Sequence, residues 1–232
     1  MYTETAKLGS KAPLSATERA YRQLRSEILD GDLAPGSGLL EVEQAERLGV
    51  SRTPLRAAVA RLIADGLVVG RSGRGFEVTE LSIEGITELY ELREGLEVHA
   101  VRLAAERRDP VIFEHLRAQF HDAPELLQHG DDGIRQYYAL IDEFEAALDA
   151  AVANPFLLSA LDVVRTHLAR IRRVAKGNEK RLRSAAAEHL LIIDAIIAGD
   201  ASLAAHATHV HLYQSLTNVL ATLGEDAATP VT

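Results

Sequence analysis

The spacing of apolar residues changes character along the chain. From Leu14 to Asp30 they recur at helical intervals, at Ala20, Leu24 and Ile28, until Gly31 stops the pattern. The stretch LAPGSG reads as a turn. Glu41 to Leu48 predicts a short helix ended by Gly49. Ser51 stands where an N-cap belongs, with Pro54 still in the first turn, where a missing N–H costs little. Leu55, Val59 and Leu62 then follow at i, i+4 and i+7, and Gly66 ends that helix. LVVGRSGRGFEV places two short β-type runs around a glycine-rich tip, a hairpin signal.

Beyond Thr79 helical periodicity takes over. It predicts helices over Ser82–Arg107, Val111–Phe120, Ile134–Val152, Pro155–Lys176, Lys180–Ala198 and Asp200–Leu223. Asn154-Pro155 and Gly199-Asp200 supply the chemistry for two of the breaks. No repeat of fixed period and no low-complexity tract is visible. The expected organisation is a mobile tail over 1–13, a DNA-binding unit over 14–80, an all-helical unit over 81–224 and a second tail over 225–232. The fold class is mainly α, an N-terminal winged helix-turn-helix followed by a C-terminal helical bundle.

Composition narrows the function classes. The chain has 232 residues, 47% of them hydrophobic, which is enough for real cores. It has no cysteine, so no disulfide and no thiolate metal site can form, which suits a cytoplasmic location. The N-terminus lacks an apolar segment of secretory type, and the longest apolar stretch, LLIIDAIIA, is short and broken by Asp194, so no membrane span is expected. The net charge is −9, yet residues 1–80 hold eleven basic and eleven acidic residues. The remainder therefore carries the whole excess. Between Arg47 and Arg74 six arginines face only Asp65, a local +5. Such asymmetry points to a nucleic-acid surface on the first part only.

Two helices joined by a tight turn, then a glycine-tipped hairpin, make a winged helix-turn-helix, whose second helix lies in the DNA major groove. With Leu55, Val59 and Leu62 facing a small core, Arg52, Thr53 and Arg56 project from the opposite face. Arginine reads guanine or grips phosphate, and threonine can contact either. In the hairpin Gly73 permits a tight turn while Arg71 and Arg74 reach toward phosphate or the minor groove. Solvated arginines on an amphipathic helix are the bland alternative, and the hairpin and local charge weigh against it. The segment YRQLRSEILDGDLAPGSGLLEVEQAERLGVSRTPLRAAVARLIADGLV resembles the N-terminal domain of GntR-family bacterial transcription regulators over about seventy residues. The resemblance implies DNA contacts from Arg52, Thr53 and Arg56, with Gly73 and its neighbours in the wing. Gln44 stands where the family usually has leucine, and Ala57 where it usually has glutamate.

In the helical part three polar residues fall on apolar stripes. Arg93 shares one with Leu89, Leu96 and Ala100. Glu145 shares one with Tyr138, Ile141, Leu148 and Val152, and His189 one with Leu182, Ala185, Ile193 and Ile196. Buried charge is costly unless paired, so three inward polar groups on three helices suggest a shared pocket. This region resembles the FadR-type ligand-binding (FCD) domain through ELYELREGLEVHAVRLAAER, FEAALDAAVANP and EHLLIIDAIIAGDASLAA. The resemblance implies a small organic-acid effector, faced by Arg93, above a divalent metal held by an Asp and three His. His189 and His211 match the last two ligands, but Ile141 stands at the Asp position and Glu145 at the first His. Two readings stay open: a divalent ion such as zinc on Glu145, His189 and His211, or a metal-free pocket with Glu145 paired to a cation. Arg93, Glu145, His189 and His211 are the candidate effector-binding residues.

The function these readings support is that of a homodimeric transcription repressor on a near-palindromic double-stranded DNA operator. A small organic acid bound in the helical unit modulates its affinity. No nucleophile–base motif accompanies the pocket, so no enzyme is expected. A metal-responsive regulator and a helical metalloenzyme with a DNA-binding head are the alternatives.

Overall fold

A computed structural model describes residues 14–71, 75–174 and 178–228. They form two compact units, divided between Glu80 and Leu81.

The N-terminal unit runs α1 (Ala16–Asp30), β1 (Gly38–Leu39), α2 (Glu41–Arg47), α3 (Arg52–Ala64), β2 (Val68–Gly70) and β3 (Phe76–Val78). Ser15 caps α1 by accepting from the Glu18 N–H at 3.1 Å, and Gly31 ends it in the left-handed region at φ 75°. The sheet order is β1-β3-β2, antiparallel throughout. Strand β1 escaped the sequence pattern because two residues are too few to show alternation. Leu24, Leu39, Leu55, Leu62, Leu67 and Val78 close a single core that the α3 stripe and the hairpin share. Ser51 holds the N-cap position of α3 with an extended backbone, but its side chain makes no capping bond. At the end of the unit Thr79 is tied twice to the chain that leaves α3. Its N–H donates to the Leu67 carbonyl at 3.0 Å and its hydroxyl to the Gly66 carbonyl at 2.8 Å.

The C-terminal unit is all helical: α4 (Ile83–Arg107), α5 (Pro110–Leu126), a 3-10 turn (Leu127–His129), α6 (Gly130–Val152), α7 (Pro155–Val174), α8 (Glu179–Ala198) and α9 (Ala201–Ala228). Its main core gathers Phe113, Phe120, Tyr137, Phe144, Leu161 and Ile193, and α4 packs along α9. Four caps set the joints. Ser82 accepts from Gly85 N–H, Asn154 from Phe156 and Leu157, Asn178 from Arg181, and Asp200 from Ser202 and Leu203.

Helix α5 runs six residues past the expected Phe120, through Pro124. Proline forfeits one hydrogen bond there, but Phe113, Leu116, Phe120 and Ala123 are all buried and hold the last turn in register. Helix α6 starts at Gly130 rather than Ile134 because Gly133 packs on the Leu126 carbonyl. A β-carbon at that position would stand 2.0 Å from the carbonyl oxygen. Helix α9 continues to Ala228, beyond the expected end at Leu223.

Candidate functional site

On the N-terminal unit, Arg52 opens α3 and is exposed with Thr53 beside it. Arg56, one turn further, keeps 66% of its side chain exposed while its Nε donates to Glu41 at 2.9 Å. Arg61 is turned away, donating to Glu18 at 2.7 Å and lying 3.6 Å from the Tyr21 ring centre. Arg47 forks onto both oxygens of Glu27 at 2.6 Å. Arg71 leaves β2 and pairs with Glu77 at 3.3 Å. Gly73 and Arg74 lie outside the described residues. The local positive charge is therefore partly returned to the unit's own carboxylates. Exposed pairs of this kind are weak, about 0–1 kcal/mol each, and a phosphate can displace them.

In the C-terminal unit the structure places Arg93 on α4, Glu145 on α6, His189 on α8 and His211 on α9 around two abutting chambers. Arg93, Ile141, His189 and His211 line both and form the partition between them. Both open to solvent, and the space they enclose is about 90 Å³ in the outer chamber and about 40 Å³ in the inner.

Arg93 is only 6% exposed. Its Nε donates to Glu97 at 2.6 Å, and its guanidinium lies 5.2 Å from the Tyr90 ring centre. Burial works to discharge it, but Glu97, Tyr90 and Glu145 together outweigh that, so its pKa rises above the ordinary arginine value.

The two histidines lie with ring centres 4.4 Å apart. His189 Nδ1 donates to the Ala185 carbonyl at 2.8 Å, and His211 Nδ1 to the Glu188 carboxylate at 2.7 Å. Both protons are thereby fixed on Nδ1, leaving each Nε2 as an acceptor. Burial holds both rings well below the usual histidine range. For His189 the neighbouring His211 and Arg172 add to the effect; for His211 it is Arg93, Arg181 and Arg172.

Glu145 does not join the histidines as a ligand. Arg172 donates to one of its oxygens at 3.0 Å, and Arg165 lies 3.1 Å from the other. Among the described residues no three His, Asp or Glu side chains come together as a metal would require. The expected set Glu145, His189 and His211 thus stands corrected. With Ile141 at the partition, three arginines around the rings and Glu145 drawn off by two guanidiniums, the residues present do not fit a divalent cation. Asp142 is exposed, and His99, His167 and His206 line neither chamber.

Four residues of this site were missed in the sequence. Arg181 lies eight residues before His189, on the same helix face, and donates to both oxygens of Glu188 at 2.7 Å. That spacing was a usable signal. Arg172, Glu188 and Thr208 carry no comparable signal in the sequence. Their roles depend on neighbours from other helices.

Comparison with known proteins agrees with this geometry. Residues 16–78 match the family model "Bacterial regulatory proteins, gntR family", and residues 88–214 match that of the FCD domain. A relative from Paenarthrobacter nicotinovorans, named "Probable D-xylose utilization operon transcriptional repressor", is 34% identical over 186 residues, covering 80% of each chain. Among solved structures, E. coli McbR/YncC superposes with a TM-score of 0.69 at 23% identity, over 91% of this chain and 100% of that one. A putative GntR regulator from Rhodococcus sp. RHA1 gives 0.68 at 24%, over 90% and 99%. At such identities the structures speak for the fold alone. Taken with the sequence matches, they close the assignment: this chain belongs to the GntR family of bacterial transcription regulators, in the branch whose second unit is an FCD domain.

Proposed function

We propose that the protein is a homodimeric repressor whose operator affinity is set by a small organic acid bound between Arg93, Arg172 and Arg181. The observation that carries the acid is the lining of the outer chamber. Three guanidiniums face it, and no Asp or Glu is among its described lining residues. Such a lining stabilises an anion, and guanidinium forks suit a carboxylate. Two-fold symmetry would set two copies of α3 on a near-palindromic operator, with Arg52, Thr53 and Arg56 toward base edges and Arg71 toward phosphate. The relative named as a repressor supports that sign of regulation.

The acid must bind the DNA-competent and DNA-incompetent states unequally to shift anything. Arg93 offers the means, because a carboxylate competing with Glu97 for its guanidinium pulls on α4 from inside the bundle. The test is operator binding by fluorescence anisotropy across a panel of hydroxy acids, sugar acids and dicarboxylates. One acid should weaken operator binding by about tenfold or more, and chelator should change nothing. Arg93→Gln should keep operator binding and lose the response. Arg56→Ala should lose the preference for operator over random DNA while the protein stays folded. An Arg93→Gln protein that responds like the parent refutes the effector site, and a chelator-dependent response favours the metal reading.

A further inference from the structure

The two chambers are lined differently. The outer one carries Arg93, Arg172 and Arg181. The inner one is lined by the carboxylates of Glu97, Glu145 and Asp149 against the guanidiniums of Arg93 and Arg165. Its remaining walls are largely apolar; Glu97 pairs there with Arg93, and Arg165 meets Glu145 and forks onto Asp149 at 2.7 and 2.9 Å. One further group lines the inner chamber. Thr208, on α9, is 2% exposed, and its Oγ1 finds no hydrogen-bond partner among the described residues. Buried hydroxyls are nearly always paired, and one left open at a chamber wall marks the place of an absent group. His189 and His211 stand in the partition, with their Nδ1 atoms turned to Ala185 and Glu188. Guanidiniums along one side, and on the other an open hydroxyl in the same chamber as the Glu97 carboxylate that a ligand acid would displace from Arg93, ask for a ligand charged oppositely at its two ends.

We propose that the effector is zwitterionic, a small amino acid. Its carboxylate lies among the outer guanidiniums, and its ammonium lies in the inner chamber against Thr208 Oγ1 and the Glu97 carboxylate, which yields its place on Arg93 to the ligand's acid. An ammonium carries three donors and no acceptor, which matches that wall. A hydroxyl brings one donor and no charge, and a methyl end would strand every acceptor there. The inference rests on the organic-acid reading of the same cavity and adds the second charge.

The experiment is isothermal titration of the full-length protein with matched triplets of linear acids of about three to six carbons, small enough for two chambers of this kind. Members of a triplet end in an ammonium, a hydroxyl or a methyl group. At the best chain length the amino acid should bind about tenfold tighter than either partner. Thr208→Val, of nearly equal shape, should reduce that preference to about threefold or less. It should do so without lowering the melting temperature of the ligand-free protein, because the hydroxyl it removes has no partner. Equal binding across a triplet, tighter binding of the hydroxy acid, or an undiminished preference in Thr208→Val overturns the zwitterion and leaves the organic-acid reading in place. Binding of no acid at any chain length overturns both.

Discussion

At the scale of single residues, the buried histidines have a consequence for stability. In the unfolded chain each would titrate near pH 6.5, whereas in the fold burial and the guanidiniums of Arg93, Arg172 and Arg181 keep both neutral to well below that. As pH falls through about 6.5 the unfolded state takes up protons that the folded state refuses, so stability drops. The loss is at most about 1.4 kcal/mol per pH unit for each ring. Urea midpoints measured between about pH 7.5 and 5.5 should therefore decline, and the double variant His189→Gln, His211→Gln should show a flatter profile. An unchanged slope in that variant would refute the account. Periodicity was enough to read Arg93 and His189 in the sequence as inward groups. It could not say what they meet. Glu145 sits on an apolar stripe as the spacing indicates, but its partners Arg165 and Arg172 come from another helix, and only the fold brings them to it.

At the scale of elements, local rules did most of the work. Caps, glycine stops and apolar spacing located the helices of both units, and the hairpin followed from its glycine-rich tip. The failures lie where tertiary contact overrides a local rule. Helix α5 passes through Pro124, and α6 begins early because the chain turns tightly over Gly133. That turn makes a sharp prediction. Gly133→Ala would drive a methyl group into the Leu126 carbonyl, displacing the joint that sets Tyr137 and Ile141 beside the cavity. The expected cost is about 3 kcal/mol, read from a lower urea midpoint at unchanged slope. A variant as stable as the parent would show that the α5–α6 joint yields where the close approach says it cannot.

At the scale of the whole molecule, charge and connection matter most. The sequence already divides into a unit with balanced charge and a strongly acidic one, and that division falls where the two compact units part. What composition could not reveal is how little chain lies between them. Thr79 is held by two hydrogen bonds inside the first unit, and Leu81 already packs against the core cluster of Ile86, Tyr90 and Leu168 in the second. Glu80 alone is left as a leash, and one residue of backbone spans only about 3.5 Å. On the mechanism proposed above, a displacement of α4 passes through that one residue, and a longer leash would give it slack. Splicing about six glycine and serine residues after Glu80 would supply it. Such a protein should grip its operator and its ligand each as firmly as before, yet no longer let either one know that the other has arrived.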